Sequence, residues 1–394
     1  MASATTSKGN DLKSRLILAA ALSLILAAPL AAMDIVRFKD GGVERRVVGK
    51  ILVEADDGGM MLKGRDTRIW VVQPADLISK EKTSEPYVPL TKADLESALI
   101  TELGPGFQTL STDNYIIVYN TSKPYARWCG QLFERLHSAF YKYWRERGFE
   151  LNPPEAPLVA VVFESKDTYT KYASPELGDA GSIIGYYSLK SNRVAMYDLS
   201  ETESRIPDDA KAVANINKFI LSRPDSDRTI ATIIHEATHQ LVLNSGLQTR
   251  YAPIPLWNSE GLAVFFETPN AKANTGWSQV GLLNHLRLIQ FRDYRDKRRG
   301  PDSLLTLIAT DDRVRDPRLA NDSYAEAWAF TFYALREKKK EYVAYMKSLQ
   351  KLEALGADSK ETRIKVFREA FGEDLEKLDD SFLKYMRKQK IPGE

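Results

Sequence analysis

The sequence predicts an α+β fold with strands early in the chain and helices after them. Short runs of β-branched and aromatic residues, broken by Gly-rich turns, occupy residues 34–80, and further strands are predicted as far as about residue 198. Beyond that point only the helical spacing of apolar residues recurs. Strands and helices that are segregated along a chain favour an α+β architecture over a doubly wound parallel sheet.

The first 33 residues are predicted to be an export signal. Three basic side chains precede an uncharged run, rich in Leu and Ala, over residues 16–32. We expect the mature chain to begin between Ala31 and Asp34, because small residues end the run there. The run of about 17 residues is at the short limit for a membrane-spanning helix, so an uncleaved anchor stays open. Export fits a bacterial periplasm, the cell surface or secretion.

Residues 34–80 are predicted to form a small SH3-like β module. Two turns, Asp40-Gly41-Gly42 and Asp57-Gly58-Gly59, divide this stretch into short strand-forming runs, and its length fits a barrel of about five strands. Such a module is either a spacer or a binding module, and the sequence leaves both open. Residues 81–104, which contain Pro86 and Pro89, are predicted to be a linker.

Residues 105–394 are predicted to form one domain. Strands are expected at Tyr115–Tyr119 and Leu158–Phe163, and a hairpin over Gly181–Asp198 turns near Ser191-Asn192. A long helix is expected over Pro124–Arg147. The later helices are expected near 208–221, 229–244, 256–267, 278–298, 323–337, 340–354, 359–371 and 374–388.

Composition limits the kinds of site that the chain can build. The formal net charge of +2 resides in the N-terminal 33 residues, so the rest is near neutral and gives no case for nucleic-acid binding. Cys129 is the only cysteine, which excludes an intrachain disulfide and a cysteine metal cluster. A metal site in this chain must therefore use the four histidines and carboxylates.

The segment Thr229–Gly246 carries the strongest chemical signal. Its apolar residues share one helical stripe, and His235, Glu236 and His239 lie away from it. Two imidazoles one turn apart can reach one metal ion, and the carboxylate beside them can take a proton from water. This HExxH pattern predicts His235 and His239 as ligands and Glu236 as general base. The competing interpretation is a solvated helix face that carries two histidines.

Glu260 is the best candidate for a third ligand. Catalytic zinc takes three protein ligands and keeps a fourth position open. The other histidines, His137 and His285, lie in unrelated contexts, whereas Glu260 lies in a helix predicted between Pro255 and Pro269. The intervening residues suffice for a loop and a returning helix. A surface carboxylate in an early helical turn is the alternative.

These two motifs resemble a known group of enzymes. His235-Glu236-Ala-Thr-His239, followed by Trp257-Asn-Ser-Glu260-Gly261-Leu-Ala263, is similar to the gluzincin signature, in particular to the peptidase-MA-like family of exported bacterial proteins. A Gly- and Tyr-rich hairpin before the metal helix, Gly185-Tyr186-Tyr187 through Tyr197, is also similar. The resemblance implies a thermolysin-like core with zinc on His235, His239 and Glu260.

The sequence departs from the gluzincin pattern at three points. Val264 occupies the position, four residues after the ligand Glu, where many members carry an acid that orients a histidine. Another carboxylate or a backbone carbonyl must then orient the metal-binding histidine. The motif by which zinc aminopeptidases grip a free N-terminus is absent, and no obvious histidine fills the proton-donor position.

Tyr324 is the candidate for the missing donor. It lies 64 residues after Glu260, a separation that resembles that of the transition-state tyrosine in zinc aminopeptidases. Ser323 and Glu326 are predicted to form a capping box that would fix its direction at a helix start. A tyrosine that packs at a helix end is the alternative role, and His285 is the alternative donor.

The sequence therefore predicts a zinc metallopeptidase that acts on a peptide or protein substrate. Zinc would activate water and polarise the scissile carbonyl, and Glu236 would carry the proton to the leaving amine. Membrane contact is expected only if the N-terminal segment stays uncleaved. The rival hypothesis is an exported binding protein that uses the same fold and catalyses no reaction.

Overall fold

The computed structural model describes residues 32–199, 210–222, 226–268, 270, 273 and 276–391. Most of the predicted export signal, residues 1–31, lies outside the described residues, so its cleavage stays a prediction. In the described ranges, no helix is long and apolar enough to cross a membrane.

The N-terminal residues form an antiparallel sheet of five strands. In the order β4-β3-β2-β1-β5, these strands are β1 (Ala32–Asp40), β2 (Val43–Glu54), β3 (Met60–Gly64), β4 (Ile69–Val72) and β5 (Leu77–Pro86). Gly42 and Gly58 adopt positive φ angles of 84° and 88° in the two predicted turns, which costs glycine no steric strain. The strands enclose a small core of their own, made of Val36, Phe38, Met60, Leu62, Trp70 and Val72.

The segment predicted as a linker, residues 81–104, is largely regular structure. Strand β5 continues to Pro86, and helix α1 (Lys92–Leu103) follows. Thr91 caps this helix by accepting from the Asp94 N–H. Only Leu95 and Leu99 of α1 are buried. Two apolar residues one turn apart among polar ones are too weak a pattern to predict a helix. The linker prediction did not include the end of this strand or the helix, and the domain boundaries stay predictions.

A second sheet of five strands has mixed directions. In the order β6-β7-β8-β10-β9, it consists of β6 (Gln108–Ser111), β7 (Tyr115–Tyr119), β8 (Leu158–Phe163), β9 (Gly185–Tyr187) and β10 (Arg193–Tyr197). The three inner strands are parallel to one another, and both outer strands are antiparallel to their neighbours. The predicted strands and hairpin are confirmed. Strand β9 forms an edge of the sheet.

Helices cover both faces of the second sheet. Helices α2 (Lys123–Arg145) and α5 (Ser226–Asn244) pack on one face, whereas α1 and α3 (Lys166–Leu177) pack on the other. Side chains alternate between the faces, as a pleated strand requires. Helix α3 escaped the sequence prediction because Tyr169 and Ala173 are its only buried residues.

The described chain after β10 is helical, as predicted. Besides α5, its helices are α4 (Ala210–Ser222), α6 (Leu256–Glu267), α7 (His285–Lys297), α8 (Ser303–Ala309), α9 (Asp312–Arg315), α10 (Ala320–Glu337), α11 (Lys339–Leu349), α12 (Lys360–Phe371) and α13 (Leu375–Arg387). The sequence missed the two short helices α8 and α9. Helix α7 begins later than expected because the Asn284 side chain caps it. The mixed α+β class, with an N-terminal antiparallel sheet and a C-terminal helical region, is confirmed.

The backbones of helices α6 and α10 lie very close together at Gly261. A Cβ atom at Gly261 would lie 2.5 Å from Thr331 Oγ1 and 2.6 Å from the carbonyl oxygen of Ala327. Any larger residue would push the helices apart. Because Glu260 precedes this glycine and Tyr324 lies on α10, the contact determines how closely these two side chains approach.

The turn between β3 and β4 docks the N-terminal sheet onto the second sheet. The Ile69 N–H donates to the carbonyl oxygen of Lys190 at 2.7 Å, just before β10. Glu102 of α1 accepts hydrogen bonds from Arg68 in this turn and from both terminal nitrogens of Arg193 in β10, the latter at 2.9 and 2.8 Å. One carboxylate thus joins the two sheets and α1.

Replacing Glu102 by Gln is expected to destabilise the protein in a pH-dependent way. Burial raises the pKa of Glu102, but Arg193 and Arg68 outweigh burial and lower this pKa to about 2. A carboxylate with a lowered folded-state pKa stabilises the fold above its unfolded pKa of about 4.3, and this contribution disappears as the pH falls toward 2.

The measurement is the unfolding free energy in urea at pH values from about 7 down to 3. The difference between wild type and Glu102→Gln should be largest near neutral pH and shrink below about pH 4.5. Glu81→Gln, which removes an exposed carboxylate of β5, should change stability little. A Glu102→Gln effect that does not vary with pH would contradict this role.

Candidate metal centre

Three potential ligand atoms converge between α5 and α6. His235 Nε2 lies 3.1 Å from His239 Nε2 and 3.1 Å from Glu260 Oε2, and His239 Nε2 lies 3.6 Å from that oxygen. Ligand atoms about 2.0–2.2 Å from one tetrahedral ion are roughly 3.3–3.6 Å apart. The structure therefore brings the three predicted ligands together in a triangle, the ligand triangle, of the size that such an ion requires.

One face of helix α5 is buried, and a different face carries the two histidines. Ile230, Ile234 and Ala237 are fully buried against the core. The side chains of His235 and His239 keep 14% and 16% of their surface exposed. Both rings are thus held by a well-packed helix, yet remain accessible to a ligand.

Glu260 follows a first turn of helix α6 that is held in place by buried residues. Trp257 and Asn258 are fully buried, and the Asn258 side chain is hydrogen-bonded through both its oxygen and its nitrogen. The Ser259 hydroxyl lies 3.4 Å from His239 Nδ1. The residues around Glu260 therefore fix the direction of its carboxylate and also contact the second histidine.

Glu267 supplies the support for His235 that the sequence left unassigned. Its Oε2 lies 2.6 Å from His235 Nδ1, and its side chain is buried. If the proton resides on Nδ1, the lone pair of Nε2 points into the ligand triangle, which is the state that a metal needs. Glu267 lies two helical turns after Glu260 and so shares its face of α6. Val264, one turn after Glu260, is instead fully buried.

Glu236 lies beside the ligand triangle but is not part of it. Its Oε2 accepts a hydrogen bond from the Tyr187 N–H at 2.7 Å. Burial raises the pKa of Glu236, and the charges of His235 and His239 oppose that rise. The edge strand β9 thus holds a half-buried carboxylate, with a raised pKa, next to the candidate ligands.

The electrostatics of this cluster favour a bound cation. Burial raises the pKa of Glu260, but His239 and His235 outweigh it and bring this pKa far below its ordinary value. Burial lowers the pKa of His235, but hydrogen bonds with Glu260 and Glu267 outweigh it and raise this pKa well above its ordinary value. In the part of the chain that the structure describes, no Lys or Arg pairs with Glu236, Glu260 or Glu267. A divalent cation in the ligand triangle would neutralise this excess of negative charge.

Residues 229–355 match a family described as protein of unknown function (DUF1570). This segment is less than half of the 394-residue chain, and it contains the ligand triangle, Glu236, Glu267 and Tyr324. A comparison with curated proteins found no match. The description of this family names no activity, so the function has to be inferred from the chemistry of the site.

Tyr324 reaches the same site from α10. Burial and the adjacent Glu260 carboxylate raise the pKa of its hydroxyl, and Glu236 adds to the effect. The prediction that Ser323 and Glu326 cap the helix is wrong, because α10 already begins at Ala320. The Ser323 hydroxyl instead donates to backbone carbonyl oxygens, and Glu326 is fully buried in ion pairs with two arginines. Packing of α10, rather than a cap, sets the direction of Tyr324.

The two remaining histidines have different surroundings. His285 is the exposed first residue of α7 and lines the same cleft as Tyr324. Among the described residues, it makes no hydrogen bond with the ligand triangle. His137 lies on α2 and packs against the ring of Tyr141 at 4.5 Å between centroids. His285 therefore stays an alternative donor, and His137 is away from the site.

A cleft of about 640 Å³ opens beside the ligand triangle. Helices α5, α7 and α10 supply most of its walls. Its charged and polar lining includes Asp227, Arg228, His235, Glu236, Arg287 and Tyr324. The cleft gives a molecule larger than water access to Glu236 and to His235, one of the candidate ligands.

Asn192 supports the site in a way that the sequence did not indicate. Its side-chain oxygen accepts from the Tyr187 hydroxyl at 2.7 Å and from Asn244 at 2.7 Å. Its side-chain nitrogen donates to Asn244 at 2.8 Å and to the Thr67 hydroxyl at 3.1 Å. This one amide therefore ties β9 to α5 and to the N-terminal sheet. The sequence marked Asn192 only as a turn residue because its partners are far away along the chain.

Replacing Glu267 by Gln is expected to weaken divalent-metal binding by about 10- to 100-fold, because His235 loses the carboxylate that orients its ring. Competition of the purified variant with a chromogenic chelator measures this affinity. Glu236→Gln is the matched control, since it alters a neighbouring carboxylate outside the ligand triangle and should leave affinity unchanged. Wild-type affinity in a folded Glu267→Gln protein would exclude the residue from the site.

Proposed function

We propose that the protein is a zinc-dependent peptidase whose metal is held by His235, His239 and Glu260. The position of Glu236 carries this proposal. It is a half-buried carboxylate, fixed by a backbone N–H beside the ligand triangle and not part of it. A site that only retains a metal has no need of such a group, whereas a hydrolase needs it as a base.

The donor set favours zinc among the common divalent metals. Two imidazole nitrogens and one carboxylate oxygen make up the ligand set of many catalytic zinc sites. Magnesium and calcium prefer sites built from oxygen alone. When bound, zinc supplies Lewis-acid polarisation of the scissile carbonyl and of water.

Glu236 is proposed to move the proton. Its Oε2 is engaged by the Tyr187 N–H, and within the described residues its Oε1 has no hydrogen-bond partner. Burial raises the pKa of this carboxylate, which brings it closer to the range in which a group both takes and returns a proton. Glu236 would accept a proton from water and then pass it to the leaving amine.

Tyr324 is proposed to donate a hydrogen bond to the oxyanion that forms on the attacked carbonyl. Its hydroxyl is next to both Glu260 and Glu236, and its raised pKa keeps the proton on the phenol. A neutral donor that is already oriented stabilises developing charge without reorganisation. His285 is more exposed and is the weaker candidate for this step.

The edge strand β9 supports a peptide as the substrate. Strand β9 pairs with β10 on one side only, and its Tyr187 N–H points away from β10 toward Glu236. Backbone groups two residues apart in a strand point the same way, so those of Gly185 face the same side. An extended peptide could add to this edge and bring its backbone past Glu236.

The resemblance to peptidase-MA-like gluzincins supports a proposal about the helical core, and the turn spacing of residues 34–80 supports one about the N-terminal sheet. The helices that carry the metal motifs would form a thermolysin-like core, and the N-terminal sheet would be an SH3-like module. The basic, then apolar, N-terminal sequence supports export to the periplasm or cell surface. Peptides or proteins in that compartment would then be the substrates, and a membrane would be a partner only for an uncleaved chain.

Glu236→Gln is expected to keep the fold and one bound metal while hydrolysis falls by about 10² to 10⁴. The change conserves shape and removes only the group that takes the proton. A broad peptide library, with products identified by mass spectrometry, provides the assay. A non-catalytic binding protein would instead leave every peptide intact with both wild type and variant, although both bind zinc.

Tyr324→Phe is expected to lower kcat by about 10² or more with little change in KM, since the hydroxyl acts only on the developing oxyanion. Tyr333→Phe is the control because it makes the same change on the same helix, outside the cleft. Steady-state kinetics on a cleaved peptide separates kcat from KM. A wild-type kcat in Tyr324→Phe would assign this tyrosine a packing role.

A further inference from the structure

Arg287 is a cation in the wall of the cleft, in the first turn of α7. Its Nη1 donates to the side-chain oxygen of Gln290 at 3.0 Å, and its guanidinium carbon lies 5.7 Å from the centre of the Tyr324 ring. Within the described ranges of the chain, no carboxylate lies within ion-pair distance of Arg287. Most of its N–H donors are therefore available to a ligand.

Four arginines that follow Arg287 in the chain are neutralised by carboxylates of the protein itself. They are Arg295, Arg298, Arg299 and Arg313. Leaving a partly buried guanidinium without an anionic partner costs free energy. The contrast with its neighbours indicates that the partner of Arg287 is not supplied by the fold.

The position of Arg287 is fixed relative to the ligand triangle. The Arg287 N–H donates to the side chain of Asn284, which caps α7. The Asn284 amide in turn lies 3.5 Å from Glu267 Oε1, and Glu267 contacts His235. A short chain of contacts thus joins the guanidinium to the candidate metal centre.

Carboxylates that line the cleft do not neutralise this charge. Glu236 is held by Tyr187, and Glu267 is held by His235. The remaining one, Asp227, is next to the exposed Arg228 in the first turn of α5. Among the described residues, the Arg287 guanidinium in the cleft wall therefore has a positive charge without an anionic partner and suits an anion, and the planar fork of an arginine matches a carboxylate.

We infer that Arg287 forms a carboxylate-binding subsite and that the preferred peptides carry a carboxylate close to the cleaved bond. This inference rests on the proposed peptidase function. The guanidinium carbon lies 5.7 Å from the centre of the Tyr324 ring, and the hydroxyl of that ring contacts Glu260, so about one tyrosine side chain separates Arg287 from the ligand triangle. An extended chain advances about 3.3–3.6 Å per residue, so the carboxylate lies within about three residues of the cleaved bond. It belongs either to an Asp or Glu side chain or to the C-terminus of the peptide.

The test uses one peptide sequence that the protein cleaves, labelled with fluorescein and prepared in four forms. Glu or Gln occupies one position near the cleaved bond, and the C-terminus is either free or amidated. Hydrolysis by the zinc-loaded wild type gives kcat/KM for each form. Fluorescence anisotropy with zinc-loaded Glu236→Gln protein gives the binding affinity of the same peptides without turnover.

A peptide whose carboxylate binds Arg287 should have a kcat/KM and a binding affinity about 10- to 100-fold higher than those of its neutral counterpart, as expected of a charge-assisted hydrogen bond. Arg287→Gln should abolish this discrimination, and Arg287→Lys should retain part of it. Lys297→Gln, which removes an exposed positive charge from the same helix, should retain all of it. If the gain is lost when Gln replaces Glu, the bound carboxylate is a side chain. If the gain is lost on amidation, the bound carboxylate is the C-terminus of the peptide.

Equal binding of the charged and neutral forms by wild type would overturn the subsite, as would discrimination that survives in Arg287→Gln. Circular dichroism and zinc content show that each variant is folded and loaded. A wild type that binds carboxylate peptides selectively but cleaves none would overturn the peptidase proposal and leave the subsite intact. The two failures are therefore distinguishable.

Discussion

The two carboxylates that hold His235 determine the geometry of the rest of the site. One ring nitrogen contacts Glu260 and the other contacts Glu267, so a single imidazole ties α5 to two residues of α6 that lie two helical turns apart. Helix α10 approaches α6 at backbone distance because Gly261 lacks a side chain, and this brings Tyr324 to Glu260. Helix α7 begins beside Glu267 and adds the remaining wall. The cleft is therefore built outward from the crossing of α5 and α6.

Features that depend on spacing within one helix were predictable from the sequence, and the resemblance to gluzincins added Glu260 and Tyr324. The remaining contacts between distant segments were not predictable. Helical periodicity alone brought His235, Glu236 and His239 to one face. Glu267 was missed because the expected support lay one turn after Glu260, while packing buries that position and uses the second turn. Helices α1 and α3 were missed because each buries only two side chains, which leaves little periodic signal.

The N-terminal sheet contributes to the support of the site. Its β3–β4 turn contacts the β9–β10 turn through Thr67 and Asn192. Asn192 also holds the Tyr187 side chain and the end of α5, and the Tyr187 backbone holds Glu236. Such a link through successive hydrogen bonds was invisible in the sequence because Thr67 precedes Asn192 by 125 residues. It gives the sheet a physical role in positioning the edge strand beside the proposed base.

The central claim is that one zinc ion binds at the crossing of α5 and α6. Metal analysis of protein purified from its exporting host, combined with anomalous diffraction at the zinc absorption edge, tests it most directly. We expect about one zinc per chain and a single anomalous peak bounded by His235, His239 and Glu260. His239→Ala should lose the ion, and Glu260→Ala should bind it far more weakly. A peak elsewhere, or full zinc content in Glu260→Ala, would contradict the account.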